Sequence, residues 1–113
     1  MSDIFRGEIW LVNLDPTLGR EQAGTRPALV ISENLFNQSY AELVIVIPIT
    51  SQNKNIRSHV PIAKGEGGLE MESYAKCEDV RSISKQRLKK KLGKVSPSTI
   101  EYVEEKLRFL MAL

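Results

Sequence analysis

At 113 residues and 42% apolar side chains, the chain is long enough to bury a core without metal or disulfide staples, and its composition excludes wholesale disorder. One cysteine, Cys77, excludes an intrachain disulfide, and with one histidine it leaves too few ligands for a zinc or iron site. A net charge of +2 does not announce a nucleic-acid partner, and no apolar run approaches the roughly 18 residues of a membrane span.

In chain order, the opening MSDIFRGEIW carries no apolar run preceded by basic residues, so no export signal is expected and the setting is read as cytoplasmic. Residues 8–14, EIWLVNL, are rich in β-branched and aromatic side chains and lie between Gly7 and Asp15-Pro16, which predicts a strand. Residues 15–27, DPTLGREQAGTRP, form a long loop punctuated by Pro16, Gly19, Gly24 and Pro27, and a loop of that length between short strands usually carries function. Residues 28–32, ALVIS, predict a buried strand antiparallel to the first, and Ser32 is placed to cap a helical turn through Phe36. Residues 43–49, LVIVIPI, are the expected middle of the core, with Pro48 marking an edge or a bulge near the strand's end.

Weaker strands are expected at 59–63, 69–72 and 75–83, with a flexible KGEGG turn at 64–68. From Lys85 to Lys94 the run KQRLKKKLGK contains no acidic residue; it reads either as a solvated surface turn or as a patch that attracts phosphates. Ser96-Pro97 offers an N-cap and a proline at the first helical position, with Ser98 and Glu101 an alternative capping pair. Ile100, Val103, Leu107, Leu110 and Met111 then recur at helical spacing and predict an amphipathic helix. Six short strands, two helices and no linker predict one domain over residues 1–113, mainly β (α+β), built as a strongly curved antiparallel sheet or half-open barrel with helices on it.

The polar residues narrow the chemistry. No metal motif is visible, His59 reads as a structural histidine without a sequence partner, and Cys77 as a packed small apolar side chain. Arg26, between Thr25 and Pro27, enters a buried strand, so its planar guanidinium is anchored and suited to a phosphate's oxygens. Thr50 arrives at the end of the central strand and can offer its hydroxyl to the same phosphate, while Glu21 can accept a proton. An equally simple reading pairs Glu21 with Arg26 as a local ion pair that orders the loop.

The segment RGEIWLVNLDPTLGREQAGTRPALVIS, residues 6–32, resembles the N-terminal signature of the MazF/PemK toxin endoribonucleases. VIPITSQ at 46–52, SHVPI at 58–62, KCEDVRSISKQRL at 76–88 and the closing helix agree with it. The resemblance implies an SH3-like small barrel of the PemK/CcdB type and a homodimer. It further implies a type II toxin that cleaves single-stranded mRNA at a short sequence without metal or other cofactor. In that chemistry the 2′-hydroxyl attacks the adjacent phosphate, leaving a 2′,3′-cyclic phosphate and a 5′-hydroxyl. The family's catalytic arginine and threonine fall on Arg26 and Thr50, and Glu21 matches a loop glutamate in a supporting or basic role. Gln22 and Gly24 match the rest of the loop that covers RNA, and Ser51, Gln52 and Asn53 follow the threonine toward the bases. Asp79 stands where some relatives carry glutamine, changing any base contact there to an acceptor-only carboxylate. Thr25 also differs among relatives and is assigned no role. A cognate antitoxin is the implied partner, laying an acidic segment across the RNA groove. Two other readings compete: a CcdB-like toxin that binds gyrase, and a non-catalytic nucleic-acid-binding module using Lys85 to Lys94.

Overall fold

The computed structural model describes residues 3–14 and 24–113, so Glu21, Gln22 and most of the loop expected at 15–27 lie outside the described residues. Among the described residues, seven strands form one antiparallel sheet: β1 (Glu8–Asn13), β2 (Thr25–Val30), β3 (Leu43–Thr50), β4 (His59–Ile62), β5 (Ser73–Lys76), β6 (Arg81–Ser84) and β7 (Leu88–Lys94). Their spatial order is β4-β5-β3-β2-β1-β7, with β6 also on β3, and strand pairing leaves the sheet open, with β4 and β7 at its ends. A short helix α1 (Asn34–Asn37) follows β2, and α2 (Pro97–Met111) closes the chain.

The continuous apolar runs in β2 and β3 have a physical reason, because both faces of these strands are buried. Leu29, Ile47 and Ile49 point into one core cluster with Ile9, Val60, Ile62 and Val103. Ala28, Val30, Val44 and Val46 point into a second with Trp10, Val12, Leu14 and Ile83. A strand half exposed to water would alternate instead. Trp10 is held in the second cluster by its indole N–H, which donates to Glu8 Oε1 at 3.0 Å.

Pro48 sits in the central strand, not at an edge, and the ladder accommodates it. On one side β3 pairs with β6 through Val46 and with β5 only from Ile49, so the ladder on that side skips Pro48. The turn Cys77–Asp79 carries the chain across that gap, and this splits the strand expected over 75–83 into β5 and β6. The strand expected at 69–72 is absent: Leu69 is buried and Met71 exposed, but the chain crosses there without pairing.

Curvature is set by β1 and β7, whose pairing shifts register between Ile9 and Trp10 and again between Leu11 and Val12. Such irregularities bend a strand and tighten its twist. The bend carries the turn Glu66–Gly68, after β4, onto β7 at the far end of the sheet. A Cβ on Gly68 would lie 2.1 Å from the Leu92 carbonyl oxygen, and one on Gly93 would lie 2.6 Å from the Gly67 carbonyl carbon. Only glycine fits this contact, so the KGEGG run is a packing device as well as a turn.

Ser96 caps α2 by accepting from the Thr99 N–H, with Pro97 at the first turn as expected. Glu66 reinforces the cap from outside, accepting from the Ser96 N–H at 3.0 Å and the Thr99 hydroxyl at 2.6 Å. Burial pushes the Glu66 carboxyl up, but these hydrogen bonds outweigh it and leave it below its ordinary range. Ile100, Val103 and Leu107 pack on the first cluster, whereas Leu110 and Met111 remain exposed, so the predicted apolar stripe is covered over only part of its length. α1 is capped by Glu33, which accepts from the Leu35 N–H, and not by Ser32; the Ser32 hydroxyl is buried against Asn37 and the Ile45 N–H.

Candidate active site

Arg26 and Thr50 are brought together by register. β2 pairs with β3 at Ala28↔Pro48, Leu29↔Ile47 and Val30↔Val46, and two residues further along the same register stand Arg26 and Thr50. Arg26 belongs to β2, opposite Val12, and is therefore a strand residue where a loop residue was expected. Both residues line one cleft of about 620 Å³, together with Leu11, Pro27, Ile49, Leu69, Met71 and Leu92.

The Thr50 hydroxyl is oriented from its own turn: the Gln52 N–H donates to Thr50 Oγ1 at 3.1 Å. A hydroxyl has one proton and two acceptor positions, so this bond leaves the proton available to a ligand in the cleft. Ser51 and Gln52 line the cleft as well and are exposed. Asn53 lies around the corner, in a neighbouring cavity of about 340 Å³ shared with His59 and Tyr74. Its side-chain oxygen accepts from the Asn55 N–H at 3.0 Å, closing a local turn. Gly24 shapes the loop's exit. It has φ of +76°, and its carbonyl accepts from the Leu14 N–H at 2.9 Å, tying the two ends of the loop together.

Lysines at 54, 76 and 90 also line the cleft. Lys90 comes from the basic run, which forms a turn followed by β7 and is not a single patch. Lys91 pairs with Glu8 at 3.4 Å, Lys85 with Glu42 at 3.8 Å, and Arg87 donates to the Asn13 carbonyl at 3.1 Å. Alternation along a strand sends neighbouring lysines to opposite faces. Lys76 was missed from the sequence, although its place as an outward residue of a strand beside Thr50 could have revealed it. It pairs with Asp79 at 2.9 Å, which places Asp79 beside a cleft-lining cation.

His59 and Cys77 are structural, as the sequence suggested. His59 is buried, with Nε2 2.8 Å from Glu78 Oε2, and Ser58 donates to the same carboxylate at 2.5 Å. Burial raises the Glu78 carboxyl, but these partners overcome that and hold it below its ordinary range. Cys77 lies fully buried, and burial pushes its thiol up to about 12.

Residues 5–111 match the sequence model of the PemK-like, MazF-like toxin of type II toxin–antitoxin systems. The chain belongs to this family. It is 42% identical over 101 residues to the endoribonuclease PemK of Escherichia coli, covering 88% of this chain and 74% of the relative. It is 34% identical over 113 residues to the endoribonuclease MazF9 of Mycobacterium tuberculosis, covering 96% of each. The crystal structure of MazF (form I) from Deinococcus radiodurans superposes with a TM-score of 0.89 at 25% identity over 100% of both chains. The MazE–MazF complex (form II) from the same organism gives 0.82 at 25% identity, covering 100% of this chain and 99% of that one. The resemblance read from residues 6–32 is thus borne out, and with it the antiparallel sheet carrying helices.

Proposed function

We propose that this protein is a sequence-specific, metal-independent endoribonuclease toxin that cuts single-stranded RNA by attack of a 2′-hydroxyl on the adjacent phosphate. The observation that carries the reading is the convergence of Arg26 and Thr50, from adjacent strands, on one cationic cleft. The relatives named as endoribonucleases support the reaction class.

In this reading the Arg26 guanidinium stabilises the charge that builds on the phosphorane, and the Thr50 hydroxyl, held by the Gln52 amide, donates to a second phosphate oxygen. A guanidinium offers five N–H donors and no acceptor, so Arg26 serves as an electrostatic group and not as the base. Glu21 is the proposed proton acceptor from the loop, with Gln22 and Gly24 covering the RNA and Ser51, Gln52, Asn53 and Asp79 reading bases. A single charge-stabilising donor is worth about a hundred- to a thousand-fold in rate, which fits a modest nuclease acting on exposed RNA.

The curled sheet, with its Glu66–Gly68 turn seated on β7, is read as the family's small barrel, one domain working in the cytoplasm. A homodimer accounts for the exposed apolar side chains of the last helix and its neighbourhood, Leu35 (81%), Phe109 (80%) and Leu113 (85%) among them. The solved MazE–MazF complex supports an antitoxin partner, whose acidic segment competes with RNA for the cationic cleft. Incubating the protein with a mixed pool of single-stranded RNA in EDTA tests the reaction. The expected products carry 2′,3′-cyclic phosphate and 5′-hydroxyl ends; uncut RNA, or 5′-phosphate ends, overturns the proposal.

A further inference from the structure

The register that aligns Arg26 with Thr50 continues past Thr50. Thr50 pairs with Tyr74 on β5, and Tyr74 pairs with Pro61 on β4. Residues directly opposite one another share a face of the sheet, so Arg26, Thr50, Tyr74 and Pro61 form one row across four strands. Each step along the row is about 5 Å. Tyr74 is therefore the aromatic neighbour of the Thr50 hydroxyl, and it stands partly exposed.

Tyr74 lines the cavity of about 340 Å³ that also holds Asn53, and the chemistry there differs from that of the cleft. The cleft gathers Arg26 with lysines 54, 76 and 90, which suit a phosphate backbone. The cavity has no lysine or arginine among its described lining residues, and its Glu72 would repel a phosphate. It offers instead an aromatic ring, the apolar side chains of Ile56 and Pro61, and the amides of Asn53 and Asn55. That combination of a stacking surface with amide hydrogen-bonding groups suits an unstacked nucleobase. Local contacts already orient its parts. The Tyr74 hydroxyl donates to Glu72 Oε1 at 3.3 Å. The Asn53 side-chain oxygen accepts from the Asn55 N–H, which leaves the Asn53 NH2 group to donate.

We propose that this cavity is a base-recognition subsite: Tyr74 stacks an RNA base next to the scissile phosphate, and the Asn53 amide donates to an acceptor on that base's edge. This rests on the endoribonuclease reading and extends it to an aromatic residue outside the cleft lining. Tyr74 binds and positions RNA; it takes no part in bond making.

The test begins with the sequence that the wild type cuts in a mixed RNA pool. The probe is that sequence as 2′-O-methyl RNA, which cannot be cut, either intact or with one base removed at a position flanking the cut. Tyr74→Leu, which keeps an apolar side chain, is expected to bind the intact probe roughly 5- to 150-fold more weakly, the range for one base stacked on an aromatic ring. Its logarithmic salt slope stays that of the wild type, because no phosphate contact is lost. Tyr74→Phe retains the ring and with it the affinity. On the probe lacking the stacked base, wild type and Tyr74→Leu bind alike. Equal binding of the intact probe by wild type and Tyr74→Leu overturns the inference while leaving the endoribonuclease reading intact, as does a deficit in Tyr74→Leu that persists whichever base is removed. A loss in Tyr74→Phe as large as that in Tyr74→Leu overturns it too, by assigning the contact to the hydroxyl. The wild type alone decides the matter if Tyr74→Leu does not fold: removal of no flanking base weakening its binding overturns the inference. A wild type that neither binds nor cuts RNA overturns both readings.

Discussion

Glu78 shows how single residues hold the neighbourhood of the site. Its carboxylate joins Ser58 and His59 to the turn that links β5 and β6, and its acidity is strengthened by those bonds despite burial. A carboxyl whose folded value lies below its ordinary 4.5 stabilises the fold above that pH and loses the contribution as pH falls through the folded value. Glu78→Gln should therefore flatten the fall of Tm on acidification below about pH 4.5, measured by circular dichroism, relative to the wild type. A parallel fall in both proteins would deny Glu78 this role. Cys77 makes a second prediction. With its thiol buried and raised to about 12, it should ignore a thiol reagent at pH 8 in the native protein and react once urea unfolds the chain. Rapid labelling of the native protein would contradict its burial.

At the scale of elements, the contact between the Glu66–Gly68 turn and β7 decides how far the sheet curls. Gly93 needs no unusual backbone angle, so its replacement tests sterics alone: Gly93→Ala puts a methyl 2.6 Å from a backbone carbon. It should cost about 2–4 kcal/mol in urea unfolding, as overpacking against backbone does; a cost near zero would show that the turn can lift away. The sequence reveals elements unevenly, and the reasons are physical. The first three strands and α2 are legible because apolar runs and a Ser-Pro cap are local signals. β7 reads as a turn because its lysines mask the alternation of Leu88 and Leu92, and Pro48 reads as an edge marker because the gap between β5 and β6 depends on pairings that no local window contains. Arg26 and Thr50 are legible one by one as residues at strand ends, and through the family resemblance. Their meeting depends on the β2–β3 register. Lys76 was missed because its significance arises from neighbours distant in sequence.

For the whole molecule, the apolar residues left exposed on α2, with Leu35 on α1, predict a second copy. Sedimentation at micromolar concentration should give a dimer, and a monomer would leave those side chains without an account. The central claim is that two strands deliver Arg26 and Thr50 to one phosphate. It is tested most directly by following single-turnover cleavage of single-stranded RNA in EDTA by the wild type and by Arg26→Ala, with circular dichroism confirming that both are folded. The expected result is cyclic-phosphate ends from the wild type and a rate lower by about a hundred-fold or more in the variant; cleavage by Arg26→Ala at the wild-type rate would contradict it.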